Sequence, residues 1–139
     1  MDCPRCKLSL VKDRYEGEEV DLCQGCWGIW LDLGELEHIL ESRHFHFTPE
    51  ERKLAVDGRT RREQGPIEPA HCPKCTVRME RLYLDPKIYL VIDRCRKHGV
   101  WLDTGEIKTL QVMAEASQDV SRMLVRKIRT GMADAGKKK

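Results

Sequence analysis

The sequence predicts a small metal-bound α+β fold in which one structural unit occurs twice in tandem. Three observations indicate it. Two segments of the chain match each other, the 139 residues include seven cysteines at corresponding positions of those segments, and only 40% of the residues are hydrophobic while 35% are charged. Domains of about 40 residues with little apolar mass usually need metals, disulfides or oligomerisation for stability. The cysteines are therefore the expected source of that stability.

The internal repeat consists of three blocks that keep the same order in both segments, which chance explains poorly. The first segment carries Cys3-Pro4-Arg5-Cys6, Val20-Asp21-Leu22-Cys23 and Gly28-Ile29-Trp30-Leu31-Asp32-Leu33-Gly34-Glu35-Leu36. The second segment carries Cys72-Pro73-Lys74-Cys75, Ile92-Asp93-Arg94-Cys95 and Gly99-Val100-Trp101-Leu102-Asp103-Thr104-Gly105-Glu106-Ile107. Each unit is expected to run through a cysteine-bearing turn, a β-hairpin, a second such turn, a short strand and a helix.

The two hairpins are predicted from runs of aliphatic and β-branched residues bounded by turn formers. In the first unit, strands at 8–14 and 18–22 flank a turn at Gly17. In the second unit, strands at 77–84 and 88–92 flank an Asp-Pro-Lys turn. Each hairpin would bring its two cysteine-bearing turns to the same end.

The helix of each unit is expected to begin at an aspartate. Asp32 is followed three residues later by Glu35, and Asp103 is followed by Glu106. An acidic or hydroxyl residue with a glutamate three positions later is typical of a capping box, in which side chains bind the free N–H groups of the first helical turn. These carboxylates are therefore interpreted as helix caps rather than as catalytic acids or bases.

A connecting segment and a C-terminal helical region complete the chain. Thr48-Pro49-Glu50-Glu51 is a second helix-start signal and predicts a short helix at 49–56, followed by a linker at 58–70 rich in glycine and proline. Apolar residues at helical spacing from Ile107 to Ile128 predict one amphipathic helix, or two that are broken near Ser117.

The expected organisation therefore has four parts. Residues 1–47 form the first unit with its helix, and residues 48–70 form the short helix and linker. Residues 71–130 form the second unit with its long helix, and residues 131–139 form a basic tail.

The first unit contains a complete set of four metal ligands. Cys3, Cys6, Cys23 and Cys26 form two Cys-x-x-Cys pairs separated by sixteen residues, which falls within a spacing typical of zinc sites. Two residues between paired cysteines let the backbone turn so that both sulfurs face one ion, and two such turns complete a tetrahedron.

The second unit supplies three cysteines and a histidine. Cys72, Cys75 and Cys95 align with the first three ligands, and His98 occupies the position of the fourth. The repeat therefore predicts His98 as a ligand, although the second unit lacks a counterpart of Trp27 just after it. His71 is the competing imidazole because it precedes the first cysteine of this set.

Zinc is the predicted metal, with two ions per chain. Four thiolates also bind iron, but the histidine in the second set and the absence of any other sign of electron transfer favour zinc. Each set supplies four protein ligands, whereas a catalytic zinc keeps one position open. With no complete catalytic triad and no phosphate loop either, no enzymatic activity is expected.

A cytoplasmic location is expected, and no membrane association. No stretch resembles a signal peptide, and no apolar run approaches the roughly 20 residues that span a bilayer. In the cytoplasm thiols stay reduced, so paired cysteines more often bind metal than form disulfides.

Three tryptophans could contact a partner, but two of them are expected to pack inside the fold. Trp30 and Trp101 occupy the same place in each repeat, between the second turn and the helix, where a large ring can cover a small core. Trp27 is extra to the repeat and is the better candidate for an exposed contact residue.

Charge is distributed unevenly and leaves two classes of partner open. Residues 1–42 carry ten acids and four bases, a net charge of -6, whereas residues 111–139 carry three acids and seven bases, a net charge of +4. The acidic unit favours a protein partner with a basic surface, so that the chain would act as an adaptor. The basic C-terminus favours RNA or DNA, with Arg122, Arg126, Lys127 and Arg129 as candidate phosphate-binding residues.

The motifs as a whole resemble the transcription-factor-IIB-type zinc-ribbon family, the transcription factor zinc-finger proteins. The residues that carry this resemblance are Cys3-Pro4-Arg5-Cys6, Cys23-Gln24-Gly25-Cys26, Gly28, Trp30-Leu31-Asp32 and Gly34-Glu35-Leu36, with a second copy from Cys72 to about Leu110. The resemblance implies two tandem zinc ribbons, each a zinc-bound hairpin, and the family name suggests an association with transcription. Likeness of fold does not by itself establish function.

Overall fold

The computed structural model describes residues 1–42, 47–60, 68–84, 90–103, 105–116 and 118–130. Its strands are β1 (Val11–Tyr15), β2 (Glu18–Leu22), β3 (Ile29–Asp32), β4 (Glu80–Tyr83), β5 (Val91–Cys95) and β6 (Gly99–Leu102). Its helices are α1 (Glu35–Ser42), α2 (Pro49–Thr60), α3 (Glu106–Ala116) and α4 (Gln118–Thr130). The predicted fold class, a small α+β protein with two hairpin ribbons followed by helices, is confirmed.

The first strand of each hairpin begins three residues later than predicted. Residues 8–10 belong to the first cysteine-bearing turn, because the carbonyl of Leu8 accepts the N–H of Cys3 at 2.7 Å. The carbonyl of Val77 accepts the N–H of Cys72 at 2.8 Å in the same way. The predicted turn at 85–87 and the predicted basic tail at 131–139 lie outside the described residues.

The helices also begin later than predicted, at Glu35 and Glu106, because β3 extends to Asp32 and β6 to Leu102. The glutamate half of each predicted capping box is present: Asp32 and Asp103 each donate their N–H to the glutamate three residues on, at 2.8 Å. The C-terminal region forms two helices, of which α3 ends at Ala116 and α4 begins at Gln118, as one of the two predicted outcomes has it, while Ser117 itself lies outside the described residues.

All six strands form one antiparallel sheet in the order β1-β2-β3-β6-β5-β4. The two ribbons meet where β3 pairs with β6, and there Trp30 lies opposite Trp101. Each ribbon therefore contributes three strands to a continuous sheet, with its third strand at the centre. Because β3 and β6 are repeat-equivalent and antiparallel, the two ribbons are related by an approximate two-fold axis at their junction.

One hydrophobic core serves both ribbons. It combines buried side chains of the sheet, among them Leu31, Leu82 and Ile92, with buried side chains of α1, α3 and α4, among them Leu40 and Leu124. A second cluster contains the buried tryptophans and most of the cysteines. A chain with too little apolar mass for two separate cores thus builds a single shared one. No helix of the described residues is both long and apolar enough to cross a membrane.

Candidate metal centres

The structure gathers the eight predicted ligands into two groups of four. In each group the ligand atoms all lie within 4.8 Å of one another. The first group is Cys3, Cys6, Cys23 and Cys26, and the second is Cys72, Cys75, Cys95 and His98. His71 is exposed and stands outside the second group, so the competing imidazole is not the one that the fold brings to the three sulfurs.

The distances within each group fit a tetrahedral zinc ion. Zinc–sulfur bonds of about 2.3 Å and zinc–nitrogen bonds of about 2.0 Å place two sulfurs about 3.8 Å apart, and a sulfur and a nitrogen about 3.5 Å apart. The Sγ atoms of Cys3 and Cys26 are 3.8 Å apart, as are those of Cys75 and Cys95. The Nδ1 atom of His98 lies 3.5 Å from the Sγ atom of Cys95. The residues present therefore suit zinc.

The turns that carry the ligands are shaped by the sulfur atoms themselves. In the first turn, the N–H groups of Arg5 and Cys6 donate to the Sγ of Cys3 at 3.3 and 3.2 Å. The residue after the second ligand then adopts a left-handed conformation in three of the four turns, with φ of 68° at Lys7, 62° at Trp27 and 65° at Thr76. This conformation lets the chain leave the turn and enter the next strand.

The fourth turn is one residue shorter and uses a glycine instead. His98 donates its N–H to the carbonyl of Cys95 at 3.2 Å, and Gly99 follows with φ of 151°. A Cβ at Gly99 would lie 2.1 Å from the carbonyl oxygen of Leu31, so only glycine fits there. The missing counterpart of Trp27 therefore reflects a different turn with the same ligand position.

The electrostatic surroundings of Cys23 favour the thiolate that zinc requires. Burial raises the pKa of this thiol, but backbone N–H groups donate to its sulfur, that of Cys26 at 3.5 Å and that of Gly25 at 3.3 Å. Together with the neighbouring cysteines they bring the pKa of Cys23 down to about 7. Burial raises the pKa of Cys26, the other ligand of this turn, to about 12, so a bound metal must displace the proton of that thiol.

Trp30 and Trp101 are fully buried, which confirms their interpretation as packing residues. Each indole N–H donates to the aspartate two residues on, Trp30 to Asp32 at 3.0 Å and Trp101 to Asp103 at 2.9 Å. Each aspartate therefore accepts a hydrogen bond from a tryptophan and also precedes a helix. A Cβ at Gly28 would lie 2.3 Å from the ring of Trp101, so each ribbon leaves room for the tryptophan of the other.

Charged pairs also join the ribbons symmetrically, and the sequence analysis did not foresee them. Arg5 binds Asp103 at 3.2 Å, and its repeat equivalent Lys74 binds Asp32 at 2.8 Å. Arg5 additionally contacts Asp93 at 3.1 Å, and this carboxylate is only 1% exposed. The sequence signal for these ion pairs was the repeat alignment, in which Arg5 aligns with Lys74 and Asp32 aligns with Asp103.

The remaining candidate residues lie at the surface. Trp27 is 56% exposed. Arg122, Arg126 and Arg129 are exposed on α4, whereas Lys127 is half-buried and its Nζ lies 3.4 Å from the carbonyl oxygen of Leu84.

Comparison with known proteins finds a match for the first ribbon. Residues 2–42 match the family model described as Transcription factor zinc-finger. No curated protein and no solved structure is detectably similar to the chain. The match covers the first ribbon, and the second ligand set repeats its geometry with histidine in place of the last cysteine. The chain is therefore a zinc-binding protein with two zinc ions, and its residues 2–42 form a zinc ribbon that is similar to the transcription factor zinc-finger family.

Proposed function

We propose that this protein is a non-enzymatic protein-interaction adaptor associated with transcription, and that its first ribbon docks on a basic surface of its partner. The observation that carries the proposal is Trp27, a large aromatic side chain that is 56% exposed beside the first zinc site. Tryptophan is enriched among the residues that contribute most to protein–protein binding. Each zinc site is filled by four protein ligands, which suits a structural role of the metal.

The contact residues belong to the turns that carry the ligands of the first zinc site. Trp27 donates its backbone N–H to the carbonyl of Cys23 at 2.8 Å, which ties the aromatic residue to the ligand turn. Leu8, in the other ligand turn, is 51% exposed, and its Cδ1 would lie 2.7 Å from a Cβ placed at Gly25. An apolar surface fixed before binding loses little conformational entropy when a partner docks, which favours affinity.

The charge of the first ribbon indicates the kind of partner. Residues 1–42 carry ten acids and four bases, and Asp2, Asp13 and Glu19 are exposed. A surface of this sign attracts basic proteins and repels the phosphates of nucleic acids. The apolar residues would supply contact area. The acidic residues would attract a basic partner during diffusion and disfavour partners of other charge.

The test compares how well the protein captures a partner when exposed apolar residues of the first ribbon, or an equivalent residue of the second ribbon, are replaced. The tagged full-length protein would be cross-linked in host extract as the wild type, Trp27→Ala, Leu8→Ala and Val77→Ala, with zinc content measured for each. Val77 is the repeat equivalent of Leu8 and is 60% exposed, so it is a matched control on the second ribbon. We expect one basic protein to be captured by the wild type and Val77→Ala and lost from the other two. Equal capture by all four would contradict the proposal.

Nucleic-acid binding is the second candidate function, and the arrangement of α4 favours it. Arg122, Arg126 and Arg129 are exposed and recur at intervals of four and three residues, which places them on one side of the helix. Truncating α4 would not test this candidate, because Leu124 and Ile128 are buried in the core. The appropriate variant is Arg122→Gln with Arg126→Gln, titrated with mixed nucleic acid at low and moderate salt.

A further inference from the structure

A concave surface with four cationic side chains borders the second zinc site. Its volume is about 640 Å³, and three of the zinc ligands, Cys75, Cys95 and His98, form part of its wall. The other residues that line it are Val77, Arg78, Glu80, Arg94, Arg96 and Lys97. We call this surface the knuckle groove. All of its lining residues belong to the second ribbon.

The first ribbon provides an internal comparison that singles out the charge of the knuckle groove. Each of the four cationic positions has an uncharged equivalent in the first ribbon, although the two ligand sets share one geometry. The equivalents of Arg78, Arg94, Arg96 and Lys97 are Ser9, Leu22, Gln24 and Gly25 respectively. Zinc binding therefore does not require cations at these positions.

The charge of the knuckle groove is only partly neutralised by its own residues. Glu80 is the acid that lines it, and it pairs with Arg94 and lies 3.4 Å from the Nε of Arg96. Arg78 pairs with Glu68, which lies outside the groove, at 2.6 Å. Arg96 is nevertheless 75% exposed, and Lys97 is exposed as well. The second ligand set also has three thiolates where the first has four, so its metal site carries one negative charge fewer. An anion would meet a net positive surface here.

The knuckle groove continues toward the basic end of the chain. The Nη2 of Arg94 donates to the carbonyl of Arg129 at 2.9 Å, which joins the groove to the end of α4. A second depression of about 250 Å³ is lined by both of these arginines and by Arg96, together with Asp32 and Glu37 of the first ribbon. Arg94 and Arg96 therefore connect the second zinc site to Arg129 at the end of α4, beside two acids of the first ribbon.

We propose that the knuckle groove binds the phosphodiester backbone of single-stranded RNA. Its two exposed arginines, Arg78 and Arg96, carry planar guanidinium groups that match phosphate oxygens, and exposed Val77 offers an apolar contact for a base. The groove is concave and small, which fits one strand better than a wide, rigid duplex. This inference rests on the second candidate function and extends it, because it assigns RNA a site on the second ribbon rather than on α4 alone.

The test is a titration of a labelled, mixed-sequence 20-nucleotide RNA by fluorescence anisotropy across a salt series, using the full-length zinc-loaded protein. The groove variant is Arg96→Gln with Lys97→Gln, and zinc content verifies its fold. We expect affinity at low salt to fall about tenfold or more. We also expect the slope of log K against log salt to become less steep by about 1.4, since each phosphate contact to a single strand contributes about 0.7.

A second variant keeps the composition and moves the charge. It combines Arg78→Ser and Arg96→Gln with Ser9→Arg and Gln24→Arg, which transfers two cations to equivalent positions of the first ribbon. Weak binding by this variant supports the groove as the site. Binding at the wild-type level would show that net charge alone governs affinity and would overturn the inference.

Two further outcomes separate this inference from the function on which it rests. If RNA binding is lost in Arg122→Gln with Arg126→Gln but is unchanged in the groove variant, α4 binds nucleic acid and the groove inference is wrong. If the wild type binds DNA but not RNA at low salt, the inference alone fails, and if it binds neither, the second candidate function fails as well. Displacement of RNA by polyglutamate at equal charge concentration would assign the groove to acidic proteins and would also overturn the inference.

Discussion

Trp30 and Trp101 face each other across the pairing of β3 with β6, one from each ribbon. Both are fully buried, and the ring of Trp101 packs against Gly28 of the other ribbon. The junction is thus built from the residues that follow the last ligand of each set. Metal binding and ribbon association consequently depend on the same short segments.

Adding a methyl group at this junction should be destabilising. In Gly28→Ala, the new Cβ would lie 2.3 Å from the ring of Trp101, which is itself fully enclosed. Overpacking of this kind costs about 1–3 kcal/mol in the free energy of unfolding, and we expect a correspondingly lower thermal midpoint. Gly25→Ala is the control, because its new Cβ would lie 2.7 Å from the movable end of the exposed Leu8 side chain and would meet the sulfurs of Cys6 and Cys23 at the ordinary contact distances of 3.5 and 3.6 Å. Equal midpoints for the two variants would contradict this account of the junction.

The two symmetric charged pairs should differ in strength because their burial differs. Replacing Arg5 with methionine removes the contacts to Asp103 and to the buried Asp93, and should cost about 2–3 kcal/mol in the free energy of unfolding. Replacing Lys74 with methionine leaves Asp32, which is 41% exposed, and should cost less than about 1 kcal/mol. Denaturant titration of both variants measures the difference. A larger cost at Lys74 would refute the assignment.

Loss of either zinc ion should weaken the whole molecule. Wild-type protein should contain two zinc ions by elemental analysis, and Cys23→Ser and His98→Ala should each contain one. Because one sheet and one core unite the ribbons, each variant should unfold in a single transition at a lower temperature than the wild type. His71→Ala is the control and should keep both ions. Retention of two ions by His98→Ala would exclude His98 as a ligand.

The stability should fall at high pH through Tyr15. Burial, reinforced by the charge of Glu16, raises the pKa of its phenol to about 12, and the hydroxyl donates to Gln111 at 2.5 Å. An unfolded tyrosine ionises near pH 10, so the folded state binds the proton more tightly. The contribution is complete below about pH 10 and is lost as pH rises toward 12. Denaturant titration at pH 9 and 11 should show a smaller decrease for Tyr15→Phe than for the wild type.

Local chemistry made some features predictable from the sequence. Ligand spacing and the repeat predicted both four-residue sets that the structure gathers. The helix-start signal before α2 is present as predicted: Thr48 donates its N–H to the side chain of Glu51 at 2.9 Å, and its hydroxyl accepts the N–H of Glu51 at 3.1 Å. These features depend on residues close in the chain, whose geometry the backbone largely determines.

Features that depend on distant residues were not predictable in this way. The pairing of β3 with β6 joins segments about seventy residues apart, and neither strand carries a signal that names its partner. The buried Asp93 binds Arg81 of its own ribbon at 3.0 Å and Arg5 of the first ribbon at 3.1 Å, and only the contact with Arg5 depends on the association of the two ribbons. The strand starts were predicted too early for a different reason. Leu8 and Val77 are residue types common in strands, but their carbonyls accept hydrogen bonds within the ligand turns.

Joining two copies of one zinc-binding unit in a single polypeptide makes their association independent of protein concentration. Two identical subunits related by a two-fold axis must present identical surfaces, since every substitution appears twice. The covalent link removes that restriction while the central strand pairing is kept. One half can therefore carry Trp27 amid acids while the other carries Arg96 and Lys97, so that a duplicated scaffold offers two unlike faces at a fixed separation.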